Sequence, residues 1–143
     1  YYGSEFGIEG KKEWGSDWPL RPCLELADFA NADETNFVTS VYKRLGELKA
    51  KYNCLSDGEF KELTLTTQSY AYARVQGDEC IVAVMNNGDT PVSLEFTLPT
   101  DASGCEDLMA DTVGAQSVMA SVEWVRMKVQ LPSNYATLLR LTH

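Results

Sequence analysis

Three carboxylates, two indoles and a guanidinium crowd one glycine-rich stretch: Glu5, Glu9, Trp14, Asp17, Trp18 and Arg21. The indole faces of Trp14 and Trp18 suit stacking on sugar rings, and Asp17 could accept hydrogen bonds from sugar hydroxyls. Arg21 could touch a sugar or brace the loop by pairing with a carboxylate. A carboxylate pair working as nucleophile and acid/base must be held about 5–5.5 Å apart. Glu5, Glu9 and Asp17 have no rigid element to fix such a separation, so they read as solvated loop charges and no catalytic residue is assigned. Tyr70 and Tyr72 share one strand face and hint at a second sugar platform, although such pairs are usually half-buried core.

Metal chemistry finds little support. Cys23, Cys54, Cys80 and Cys105 stand 31, 26 and 25 residues apart, and the single histidine is the terminal His143. Zinc sites bring paired ligands two to four residues apart. Cys80 heads an apolar strand and Cys54 sits in a helix-end turn, both natural places for a buried thiol. Four reduced structural cysteines, no metal, no cofactor and a cytoplasmic location are expected. With 12 basic and 21 acidic residues the chain carries −9, which opposes binding to nucleic acid or anionic membrane.

The elements that must position these groups follow from periodicity. Residues 1–32 mix glycine, proline, aromatics and charges without period, a long loop with strand remnants. Residues 33–52 form an amphipathic helix with Phe37, Val41, Leu45, Leu48 and Tyr52 on one stripe. Asp33 or Thr35 can cap it, and Gly46 suggests close packing with another backbone. From Glu59 the period becomes two. Strands are expected at 59–66, 69–75, 79–86, 91–98, 105–111, 117–120, 122–130 and 134–142. The hairpin over residues 69–87 is central, because Cys80 to Met85 is too apolar to show a face to water. The fold class is mainly β: a C-terminal antiparallel β-sandwich with Greek-key connections, preceded by one helix and a long loop.

Tyr1-Tyr2-Gly3-Ser4-Glu5-Phe6-Gly7-Ile8-Glu9-Gly10 resembles the eighth barrel strand and following loop of the alpha-amylase family of glycoside hydrolases, with Ser4 in place of the usual aspartate. Asp17, Arg21 and Pro22 resemble that family's Asp-Pro-x-x-Arg-x-Pro stretch, with Trp18 where proline is common. Cys23-Leu24-Glu25-Leu26 stands where methionine and tryptophan are frequent. Leu55-Ser56-Asp57-Gly58-Glu59-Phe60 is similar to the exit of the last barrel helix, and the nearest flavour is the neopullulanase and cyclomaltodextrinase branch.

The resemblance implies that residues 1–55 are the remnant of the last β/α unit of a TIM-type barrel, and 56–143 the C-terminal β-sandwich domain. The chain would be the tail of a retaining α-glycosidase acting on α-glucans such as starch, maltooligosaccharide, cyclodextrin or pullulan. Its catalytic carboxylates would lie upstream, leaving this part structural and inactive alone. Trp14, Asp17, Trp18 and Arg21 become candidate substrate contacts, or packing between barrel and β-domain. The expected partners are the barrel, the α-glucan and, through the exposed helix and N-terminal arm, a second copy. The alternative is a free-standing carbohydrate-binding or protein-interaction β-sandwich.

Overall fold

The computed structural model describes residues 2–143 of the chain, which divide into two compact units. The first comprises the residues up to Gly46 with Thr112–Gly114; the second comprises Glu47–Asp111 and Ala115–His143. Tyr1, part of the expected strand end, lies outside the described residues.

In the first unit the expected strand remnants are turns instead. Short 3₁₀ segments occupy Ser4–Phe6, Trp18–Leu20 and Leu26–Phe29. Phe6 stacks on Phe29 with ring centroids 4.2 Å apart. The expected helix over 33–52 is split into α1 (Ala32–Thr35) and α2 (Phe37–Lys51). Asn36 causes the break: its backbone is extended, and its Oδ1 accepts the Thr39 N–H at 3.1 Å. An extended residue whose side chain accepts from the third helical N–H is an N-cap. The cap is therefore Asn36 rather than Asp33 or Thr35. Asp33 pairs with Lys43 at 2.6 Å, and Thr35 Oγ1 donates to the Asn31 carbonyl. Asn36 Nδ2 and Thr39 Oγ1 also donate to the carbonyls of Phe6 and Glu5, at 2.9 and 2.6 Å, which clasps the arm onto the helix start.

The stripe on α2 is only partly covered. Leu48 and, just beyond the helix, Tyr52 are buried, whereas Phe37 and Leu45 are 50% and 41% exposed. A Cβ added at Gly46 would meet nothing within 4 Å, so no backbone approaches it among the described residues.

The second unit is the sandwich. A short helix α3 (Cys54–Asp57) precedes seven strands: β1 (Glu59–Leu65), β2 (Ser69–Gln76), β3 (Glu79–Asn86), β4 (Val92–Ala102), β5 (Gly104–Asp107), β6 (Met119–Leu131) and β7 (Tyr135–Thr142). One sheet runs β1-β2-β3-β7-β5 and the other pairs β4 with β6, all antiparallel. β1, β2 and β3 form a meander. The chain then alternates between sheets, until β7 inserts between β3 and β5. Alternate residues of both sheets meet in one core: Ala71, Val82, Val84 and Leu139 from one side, Leu94, Phe96, Met127 and Val129 from the other. β3 is buried on both faces, since Ile81 and Ala83 are covered as fully as Val82 and Val84. Continuous apolar sequence in a strand is the mark of such double burial. α3 packs against β2 and β3.

Two strand expectations change. β5 stops at Asp107 because its Oδ1 accepts the Met109 N–H at 2.9 Å and the Thr137 hydroxyl, turning the chain so that Leu108 and Met109 are buried. The two strands expected at 117–120 and 122–130 are one, because β6 absorbs an irregularity of pairing near Trp124 without ending.

Candidate functional site

The stretch that gathered the candidate residues closes on itself. A Cβ on Gly10 would lie 2.4 Å from the Pro19 carbonyl oxygen, so the two ends of the segment touch backbone to backbone and only glycine fits. Inside, Glu13 and Ser16 form an isolated bridge across Gly15, whose φ of 78° places it in the left-handed region. Ser16 Oγ accepts the Trp18 N–H at 3.2 Å, and Leu20 and Arg21 donate their N–H groups to the carbonyls of Asp17 and Trp18 at 3.0 and 2.9 Å. A compact surface segment with adjoining ends is an Ω-loop. Tyr2 O–H donates to the Pro22 carbonyl at 2.8 Å and ties the loop's far end to the arm.

The loop brings Asp17 and Trp18 side by side at the start of the Trp18–Leu20 turn. Asp17 pairs with Lys12 at 3.2 Å, both ends solvated. Trp18 is 78% exposed and Trp14 fully so; neither indole is packed within its unit. Arg21 is exposed at the end of the same turn. Glu5 and Glu9 are exposed beyond the loop's base, and no cluster of three or more His, Cys, Asp or Glu side chains that could hold a metal occurs among the described residues. What the loop presents to solvent is two bare indoles, with the carboxylate of Asp17 between them in sequence.

On the five-stranded sheet Tyr72 stacks on Phe60 at 5.2 Å and lies 5.7 Å from Tyr70, while Tyr70 O–H donates to Glu62 at 3.3 Å. The expected Tyr70–Tyr72 pair is thus a row of three rings, and Phe60 is half exposed. Phe60 was legible only through the register that sets it beside Arg74, with its neighbour Glu62 opposite Tyr72. Cys54 and Cys80 are buried and all four cysteines are free. Burial, aided by Glu79, pushes the Cys54 thiol up to about 12, and burial pushes Cys80 up to about 11, so both are inert at neutral pH. No described helix is long and apolar enough to cross a membrane.

No protein-family model and no curated protein sequence matches the chain. Solved structures do. An Anoxybacillus alpha-amylase superposes on 99% of the chain with a TM-score of 0.75 at 20% identity, and the chain covers 28% of it. A cyclomaltodextrin glucanotransferase described as having a three-domain arrangement matches over 100% of the chain with a TM-score of 0.75 at 18% identity and 29% of its own length. A debranching enzyme from Nostoc punctiforme matches over 97% with a TM-score of 0.65 at 19% identity and 27% of its length. The chain spans under a third of each of these proteins. The likeness to the alpha-amylase family expected from the opening decapeptide and the helix exit is borne out at the level of the fold, as is the β-sandwich.

Proposed function

We propose that the chain is the C-terminal portion of an alpha-amylase-family enzyme acting on α-glucans, with residues 1–55 completing a catalytic barrel and 56–143 forming its β-sandwich domain. The observation that carries this reading is the extent of the structural match: it covers 99% of the chain, arm and helix included, and not only a generic sandwich. The half-exposed Phe37 and Leu45 on α2 support it, because an apolar helix flank stabilises a fold only when covered. In this reading the 10–20 loop follows the last barrel strand and so lies on the face where barrel enzymes build their sites. Trp14, Trp18, Asp17 and Arg21 then contact the glucan or the barrel's own loops. The portion itself carries no catalytic pair, and its free thiols accord with a cytoplasmic setting.

The test compares the 143-residue chain with a polypeptide that also contains the preceding barrel, on starch, maltooligosaccharide, cyclodextrin and pullulan. The longer polypeptide is expected to hydrolyse at least one of them and the chain alone none. Turnover by the pure chain would overturn its assignment as a structural part. A coding sequence without a barrel upstream would overturn the whole reading.

The Phe60–Tyr72–Tyr70 row favours a second reading, a carbohydrate-binding sandwich. Titration calorimetry with maltoheptaose at millimolar concentration tests it: saturable heat weakened by Tyr70→Ala supports it, and no heat discards it.

A further inference from the structure

Trp124 is held in an arrangement the fold does not need for packing. Its φ of 59° lies in the left-handed region, where a large L side chain is strained. The other non-glycine residue there is Asn134, a type that tolerates it in turns. Trp124 sits inside β6 where the β4 pairing slips: Thr97 faces Arg126 and Ala102 faces Trp124, so Leu98, Pro99, Thr100 and Asp101 lie opposite Val125 alone. The bulge turns the indole outward to 81% exposure, whereas Met127 and Val129 of the same strand are fully buried. Burial of the ring therefore does not offset the strain. Non-glycine residues held in this region cluster at ligand sites, because folding alone selects against them.

The surroundings identify the ligand's chemistry. Asp101, Ser103, Glu123 and His143 border an open hollow beside the indole. Two carboxylates against the single imidazole of His143 leave the hollow lined mainly by acceptors, which disfavours phosphate and nucleic acid. A cation would be held best by a cage of several electron-rich aromatic faces, yet Trp124 is the sole Phe, Tyr or Trp ring lining the hollow among the described residues, and the other ring there, the His143 imidazole, becomes cationic itself on protonation. A neutral ring with one apolar face and peripheral hydroxyls satisfies every group: its C–H face stacks on the indole and its hydroxyls donate to Asp101 and Glu123. We propose that Trp124, displayed by the β4–β6 bulge with Asp101 and Glu123 beside it, forms a non-catalytic pyranose-binding site that retains an α-glucan chain on the sandwich. The choice of an α-glucan rests on the function proposed above.

The test is native affinity electrophoresis of the full chain in gels with and without soluble amylopectin, followed by titration with β-cyclodextrin. The wild type is expected to be retarded, Trp124→Ala to lose at least about tenfold in affinity, and Trp124→Phe to stay within about threefold. Trp124→Gly is expected to lose binding while melting about 2–4 °C higher, a gain that a packing role would not give. Retardation unchanged in Trp124→Ala but lost in Trp14→Ala/Trp18→Ala would overturn the site and leave the α-glucan reading standing. Absence of retardation in the wild type, or binding of a polylysine probe in place of glucan, would overturn it too; the hydrolysis assay on the longer polypeptide judges the reading separately.

Discussion

Replacing Gly46 by alanine separates the chain by itself from the chain as part of a barrel. Gly46 is exposed in the middle of α2, and a Cβ there would meet no atom within 4 Å. Only the intrinsic helix preference then counts, and alanine is better than glycine by about 1 kcal/mol. At roughly 2.1 cal/mol/K per residue the unfolding entropy of such a chain is about 0.3 kcal/mol/K, so the gain corresponds to about 3 °C in Tm. Differential scanning calorimetry on the 143-residue chain should show that rise; a fall would mean that something packs on Gly46 and would refute the bare-face argument. One helical turn earlier lies Tyr42, which is 57% exposed. Neighbours four apart share a helix face, so Tyr42 and Gly46 form one uncovered strip. If a barrel covers that strip in the longer polypeptide, the same substitution overpacks it and costs about 1–3 kcal/mol there. A reversal of sign between the two polypeptides is the expected outcome, and a gain in both would show that the strip stays open.

Asn86 is buried, with Nδ2 donating to the carbonyls of Thr90 and Pro132 at 2.9 and 2.8 Å and Oδ1 accepting the Gly88 N–H at 2.9 Å. Asn86→Ala strands these groups and should cost about 3 kcal/mol in urea denaturation; a loss under about 1 kcal/mol would refute the role of the network. The buried thiols of Cys54 and Cys80 have raised pKa values, so the neutral forms belong to the folded state and their contribution is fully present below the ordinary thiol value of 9.0. It is lost as pH rises through about 11 for Cys80 and about 12 for Cys54. At pH 8 a thiol-reactive disulfide reagent should label exposed Cys23 first, and rapid labelling of Cys54 would contradict its burial. The bare Phe37, Tyr42 and Leu45 should drive self-association of the chain at high concentration, seen as a mass above the monomer in light scattering and reduced by Leu45→Glu. A monomer at all concentrations would count against it.

The central sheet was legible because local chemistry and tertiary environment agree there. Gly77, at φ 58°, sits where a reversal needs it, and Cys80 to Met85 is apolar on both faces because both faces are covered. The helix start was misplaced because Asp33, Thr35 and Asn36 are all good caps, and the choice fell to the one whose Nδ2 also reaches the Phe6 carbonyl across 30 residues. Such a selection depends on a distant partner and leaves no local trace. The same holds for the Trp124 bulge, since no residue type announces a left-handed tryptophan; at Gly46 the close backbone expected from the glycine is not found among the described residues.

The loop with Trp14 and Trp18 shows how far sequence and structure combine. Glycines and aromatics in its sequence suggested a binding segment without fixing its form. Its backbone proves to be determined: the Gly10–Pro19 contact, the Glu13–Ser16 bridge and the Tyr2 hydroxyl each hold a different part. A segment with a constrained backbone and two unconstrained indoles loses less entropy when the rings meet a partner than a floppy loop would. Trp14→Ala and Trp18→Ala should therefore leave the Tm of the chain within about 1 °C, because exposed side chains contribute little to folding. In the longer polypeptide they should raise KM for α-glucan. A large loss of stability in the chain itself would instead assign the indoles to packing within their own unit, against their exposure of 102% and 78%.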